Sequence, residues 1–197
     1  MRKHLPCPCG TSSDGLYDYG DHQYCFVCNK YFGEGKEMTD MSNTPVQMKG
    51  ELSPIQDRRI NLKTVELYRV LQHDGKHMYP YYKDGKLVAV KTRLPDKAGF
   101  PWSGSPGGVE LFGQNLFPQG GNSLTIVEGE LDALSAYQML NEPVVSVCSA
   151  STAVSDLKRN YEWVNSFKRI VFAFDNDKAG QEAQAKAASL FDPKKVR

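Results

Sequence analysis

The sequence predicts a small β ribbon organised around four cysteines, followed by an α/β core whose mostly parallel sheet is flanked by helices. Three observations carry this. Cys7, Cys9, Cys25 and Cys28 form two close pairs near the amino terminus. Apolar runs at 124–127, 143–148 and 170–174 alternate with helical patterns, as expected of strands joined by right-handed crossovers. Two of these runs end directly in acids, Glu128 and the pair Asp175 and Asp177, with Gly129 and Gly180 close behind.

A chain of 197 residues suffices for one medium domain or two small ones. The pattern divides it into a ribbon at 1–38, a linker at 39–54, a basic α+β segment at 55–121 and a second α/β segment at 122–197. The net charge of +1 is unevenly spread: residues 1–48 carry −2, 49–97 carry +5, and 122–197 carry −1. A basic middle beside an acidic segment suits a polyanion held by one part and processed by the other, although an ordinary solvated surface has the same composition. No apolar run approaches the roughly 20 residues of a membrane span. The amino terminus lacks the apolar stretch of a signal peptide, so a cytoplasmic location and no membrane partner are expected.

In a reducing compartment, two close cysteine pairs separated by fifteen residues point to zinc rather than disulfides. Cys25 and Cys28 have the usual spacing of a zinc turn. Cys7 and Cys9 are one residue closer, but Pro8 favours an extended Cys7, and in extended chain both sulfurs face one side. His4 is the substitute ligand if Cys7 does not reach. Leu16, Tyr17, Tyr19 and Tyr24 supply strand formers between the pairs. A unit this small needs the roughly 10–16 kcal/mol of structural zinc binding to hold together. Its aromatics either stack on unpaired bases or simply cover the small core.

From 34 to 54 there is no sustained period. Residues 61–70 then read as a helix capped by Asn61, with Leu62, Val65 and Arg69 along one side. Strands at 77–82 and 87–92 are joined through Asp84-Gly85, a strong hairpin signal. Lys91, Arg93 and Lys97 follow in a basic stretch, and Phe100 and Trp102 in the next loop are core edges or base-stacking groups. Cys148 is expected to be a small core residue, and 149–152 a loop that caps a helix or receives a phosphate.

The acids focus the chemistry. Carboxylates at strand ends lie where open α/β sheets bind ligands. Two of them about 4 Å apart repel by roughly 4 kcal/mol at an effective dielectric near 20. Glu128, Asp175 and Asp177 together therefore call for a cation, and hard oxygen ligands favour Mg²⁺ or Mn²⁺.

Val-Glu-Gly-Glu-Leu-Asp-Ala-Leu and Asp-Asn-Asp-Lys-Ala-Gly, each after an apolar strand, resemble the TOPRIM signature in its primase form. With the cysteine pairs, the basic middle, the Lys-x-Arg stretch and the terminal Lys-Val-Arg, the chain resembles the primase half of the tailed-phage primase–helicase family, of which mitochondrial Twinkle is a relative. The resemblance implies a zinc ribbon followed by an α/β primase core with a TOPRIM-type sheet. It implies synthesis of short RNA primers on single-stranded DNA from nucleoside triphosphates. By the same resemblance, Glu128, Asp175 and Asp177 hold catalytic Mg²⁺. Lys91, Lys97 and Arg93 meet nucleotide phosphates, the four cysteines hold zinc, and His22 lies near the template. Partners implied are a hexameric helicase domain and a replicative DNA polymerase. The shortened first cysteine pair and the order Gly20-Asp21 depart from the family pattern. The rival readings are a recombination-mediator-type DNA-binding protein, a TOPRIM nuclease, and a Twinkle-like chain without primase chemistry. Lys195-Val-Arg197 reads as the start of a further strand, so the second α/β segment is expected to be truncated at its carboxyl end.

Overall fold

The computed structural model describes residues 4–6, 16–18, 22–25, 30–33, 46–95 and 99–197. The chain divides into two compact units, Met1–Pro45 and Val46–Arg197. In the first, β1 (His4–Leu5), β2 (Leu16–Asp18), β3 (His22–Cys25) and β4 (Lys30–Gly33) pair antiparallel in chain order. Leu16 is buried within it. Cys7, Cys9 and Cys28 lie outside the described residues, as do the side chains of His4, His22 and Cys25, and the zinc expectation lies there with them.

The second unit begins inside the expected linker. Glu51 exchanges two backbone hydrogen bonds of 2.9 Å with Gln72, tying 46–54 into this unit. Helix α1 (Leu62–Tyr68) starts at Asn61, whose side chain accepts from the Thr64 amide at 2.9 Å, as its residue type predicts. Its buried face is Thr64, Val65 and Tyr68 rather than the expected Leu62, Val65 and Arg69. The helix ends after seven residues with Arg69 in the left-handed region, φ 54°, so Arg69 never joins the face, and Leu62 is 40% exposed.

Four antiparallel strands come next, in the order β5 (Leu71–His73), β6 (Lys76–Lys83), β7 (Lys86–Arg93) and β8 (Trp102–Gly104). The β6–β7 hairpin turns through Asp84 and Gly85, both with positive φ (50° and 74°), the conformation a two-residue turn needs to match strand twist. Tyr79 pairs with Lys91, and Tyr81 with Ala89. Cross-strand partners share a face, so Lys91 points to the side on which both tyrosines are buried.

The remaining elements form the parallel layer. Strand β9 (Gly121–Val127) lies between β10 (Val144–Ser146) and β11 (Phe167–Ala173), parallel to both. Residues 123–127 are all buried because both faces of the central strand are covered, hence the continuous apolar run. Helix α2 (Glu130–Leu140) follows β9. Helices α3 (Ala153–Arg159) and α4 (Tyr161–Asn165) connect β10 to β11, and α5 (Lys178–Ala188) follows β11. Val127 and Val144 join a core with Tyr68, Tyr79, Tyr81 and Phe112. Leu124, Ile126 and Val145 join a second core with Leu157, Phe167 and Phe172. Residues 195–197 run parallel to β11, Ile170 donating to the Lys195 carbonyl at 2.8 Å and Arg197 to the Ile170 carbonyl at 2.9 Å. No described helix is long and apolar enough to cross a membrane.

The turn after β11 sits directly under α5. A Cβ at Gly180 would drive into the backbone carbonyl of Asp175. Gly180→Ala should therefore lower stability in denaturant unfolding by about 1–3 kcal/mol. The exposed neighbour Glu182→Ala should stay within about 0.5 kcal/mol. Equal midpoints for the two variants would show that this close approach is not required.

Candidate active site

The site is set by strand register. Val127 pairs with Ala173, so β9 and β11 end level and release Glu128 and, two residues on, Asp175 at one sheet edge. Glu128 is half-buried, and its Oε2 is a buried atom without a hydrogen-bond partner among the described residues. Burial raises its carboxyl above the usual carboxylate range. The charge of Asp175 adds to the rise, the Asp175 backbone amide offsets part of it, and Asp177 and Asp132 raise it further. Asp175 and Asp177 are exposed. Asp177 caps α5, its Oδ1 accepting from the Gly180 amide at 2.8 Å, which uses one carboxylate oxygen and leaves the other for a ligand.

Asp132, in the first turn of α2, is a fourth acid to which the sequence pattern assigned no role. Burial raises its carboxyl, Asp175 adds to that, and Arg58 opposes it. The Asp132 carboxylate lies close to Gly129: a Cβ added there would meet Asp132 Oδ2 at 2.8 Å. The signal was present in the Glu-Gly-Glu-Leu-Asp run, where an acid four residues beyond Glu128 opens a helix. Arg58, an exposed cation from the turn before α1, was equally unassigned.

These residues fit a hard divalent cation. The donors are oxygens, one of them buried and orphaned, and the neighbouring acids add to the raised carboxyls of Glu128 and Asp132. Among the described residues, no three His, Cys, Asp or Glu side chains are gathered tightly enough to enclose an ion by themselves.

The basic residues part company. Lys91 is only 8% exposed. Its Nζ donates to Glu130 Oε1 at 2.8 Å and to the Cys148 carbonyl at 2.7 Å, so it is not a free surface cation. Glu130 Oε1 also accepts from the Tyr81 hydroxyl at 2.6 Å, a proton that burial and the adjacent carboxylate hold in place. Arg93 is half-buried, its guanidinium carbon 5.8 Å from the ring centre of the exposed Phe100. Lys97 lies outside the described residues, and of His22 only the backbone, in β3, is described. Trp102 packs against Tyr81, ring centres 4.7 Å apart, as a core edge.

The loop after β10 is held from below. Buried Asp156 accepts from the Cys148 amide at 3.0 Å, the Thr152 hydroxyl at 2.8 Å and Arg159 at 3.1 Å. Ser149 caps the turn that leads into α3, accepting from the Thr152 amide. Burial pushes the Cys148 thiol well up, as for a packed side chain.

The Toprim-like family matches residues 125–197. The chain is 32% identical over 220 residues to the DNA helicase/primase of Enterobacteria phage T3, an alignment covering 98% of this chain and 38% of that protein. It thus spans about two fifths of that relative's length. The primase fragment of the bacteriophage T7 primase-helicase superposes with a TM-score of 0.69 at 30% identity, covering 100% of this chain and 89% of that one. Primase domains bound to an RNA/DNA hybrid and dTTP, in complex with the bacteriophage T7 lagging-strand DNA polymerase, superpose at 0.67 with 32% identity, covering 75% and 79%. With two strand-end acid motifs at one edge of a parallel sheet and relatives matched over nearly the whole chain, the chain belongs to the phage primase–helicase family, to whose primase part it corresponds.

Proposed function

We propose that the chain is a DNA primase that joins nucleoside triphosphates into short RNA primers on a single-stranded DNA template. The observation that carries this reading is the buried, unpartnered Glu128 oxygen at the edge it shares with Asp175 and Asp177. Glu128, Asp175 and Asp177 hold Mg²⁺ or Mn²⁺, with Asp132 as an additional acid. The bound ion supplies charge neutralisation at the triphosphate and activation of the attacking 3′-hydroxyl. Asp177 holds its carboxylate still by capping α5. Arg93 and Lys97 meet phosphate oxygens and balance charge as it develops. Cys7, Cys9, Cys25 and Cys28 hold a structural zinc, with His4 in reserve, and the ribbon with His22 reads the template. A helicase domain and a replicative DNA polymerase are the partners this reading implies, by likeness to the helicase/primase of phage T3 and to the primase domains in the T7 polymerase complex.

Incubation with single-stranded DNA, Mg²⁺ and labelled nucleoside triphosphates tests the reading. Wild type should extend primers. Glu128→Gln should lose about 100-fold or more in rate while binding single-stranded DNA as before. Cleavage of DNA without nucleoside triphosphates would instead mark a nuclease, and full synthesis by Glu128→Gln would overturn the assignment.

Freshly purified protein should carry one zinc per chain, and Cys28→Ser should lose it. Metal analysis without zinc would refute the four-cysteine site.

The raised Glu128 carboxyl has a stability consequence whose sign is definite. A group whose folded pKa exceeds its unfolded value favours the fold below the unfolded pKa, and that benefit is lost as pH rises through the folded pKa. Without metal, Glu128→Gln should therefore melt higher than wild type at neutral pH, with the gap closing as pH falls into the carboxylate range. Added Mg²⁺ should stabilise wild type and not the variant. Thermal unfolding at several pH values checks both.

A further inference from the structure

Lys91, Glu130 and Tyr81 form a buried junction beneath the acidic edge. Glu130 is the first residue of α2, two positions beyond Glu128, and is 4% exposed. Its Oε1 takes both the Tyr81 hydroxyl from β6 and the Lys91 ammonium from β7. The same ammonium reaches the Cys148 carbonyl just past β10. One ion pair thus joins the antiparallel sheet to the start of α2 and to the loop at the end of β10, and both of those elements border the carboxyl edge of the parallel sheet.

We infer that Lys91 and Glu130 are positioning residues. Their pair holds the start of α2, and with it Glu128 and Asp132, in the geometry that receives the metal and the triphosphate, and Lys91 does not itself contact nucleotide phosphate. This rests on the proposed reading of the acidic edge. The ammonium has two acceptors at hydrogen-bond distance and little exposed surface, so turning to a phosphate would leave a buried carboxylate without its cation. Such a break is strongly unfavourable, whereas replacing both charges together by neutral groups of similar volume is tolerated. That asymmetry provides the test.

Lys91→Met, Glu130→Gln, the double variant and Tyr81→Phe are compared in the full chain. The readouts are Mn²⁺ affinity by electron paramagnetic resonance, kcat and nucleotide KM for primer synthesis, and thermal unfolding. Each charge-removing single variant should lower kcat and weaken Mn²⁺ binding by about tenfold or more, as small misplacements at a reacting centre do. With Mn²⁺ raised to saturation for each variant, nucleotide KM should move by no more than about twofold, because the pair makes no ground-state contact with substrate. The double variant should recover most of the loss, and Tyr81→Phe should cause a smaller fall of the same pattern. A Lys91→Met protein with raised KM and unchanged kcat, beside a neutral Glu130→Gln and a double variant no better than Lys91→Met, would place Lys91 on the phosphate and overturn the inference. If Lys91→Met fails to fold, Glu130→Gln and Tyr81→Phe decide: wild-type kcat and Mn²⁺ affinity in both overturns it. If wild type makes no primer, the proposed function falls. Mn²⁺ affinity still tests the junction, and undiminished binding in Lys91→Met and Tyr81→Phe refutes it.

Discussion

Parallel pairing of β9 with β11, in the register that sets Val127 against Ala173, is the constraint on which the site depends. A slip of one residue would send every side chain on the moved strand to the opposite face. It would bury an acid or pull the two strand ends apart. The register is secured by burial: Leu124, Ile126, Ile170 and Phe172 enter one core, and Val127 enters the other. The acids themselves work against the arrangement, since Glu128 is raised by burial and by its acidic neighbours. The apolar register holds together what charge would separate, and that residual repulsion is what a divalent cation relieves.

The antiparallel sheet supplies the second constraint. Tyr79 and Tyr81 share a core with α1, α2 and Phe112, and Lys91, 8% exposed, lies on that same inner face. A lysine is seldom buried unless paired, and here the partner is Glu130, at the start of the helix that carries Asp132. The two cations of the Lys-x-Arg pair differ in burial: Lys91 is 8% exposed and paired to Glu130, while Arg93 is half-buried, and both lie beside the exposed Phe100, at 5.3 and 5.8 Å from its ring centre.

Much of this was legible in the residues, for definite reasons. Asn61 caps because its short side chain reaches the Thr64 amide, Asp84-Gly85 turns because both positions need positive φ, and the strand-end acids stand out against apolar runs. The outcome at Lys91 was not legible. A Lys-x-Arg pair reads as surface charge, and its pairing with a glutamate thirty-nine residues away exists only once β7 and α2 are packed. Asp132 was overlooked because an acid in a first helical turn already has a local explanation in the helix dipole. The face of α1 was misassigned because its stop at Tyr68 depends on a left-handed Arg69, a conformation that arginine does not advertise. Cys7, Cys9, Cys28 and Lys97 lie outside the described residues, and of Cys25 only the backbone is described.

A crystal structure of the chain soaked with Mn²⁺ and a nucleoside triphosphate tests the central claim most directly, because anomalous scattering locates the ion without assumption. Mn²⁺ should be found on carboxylate oxygens of Glu128 and of Asp175 or Asp177, together with the nucleotide's triphosphate. An ion bound elsewhere on the chain, with Glu128 Oε2 still without a partner, would contradict it.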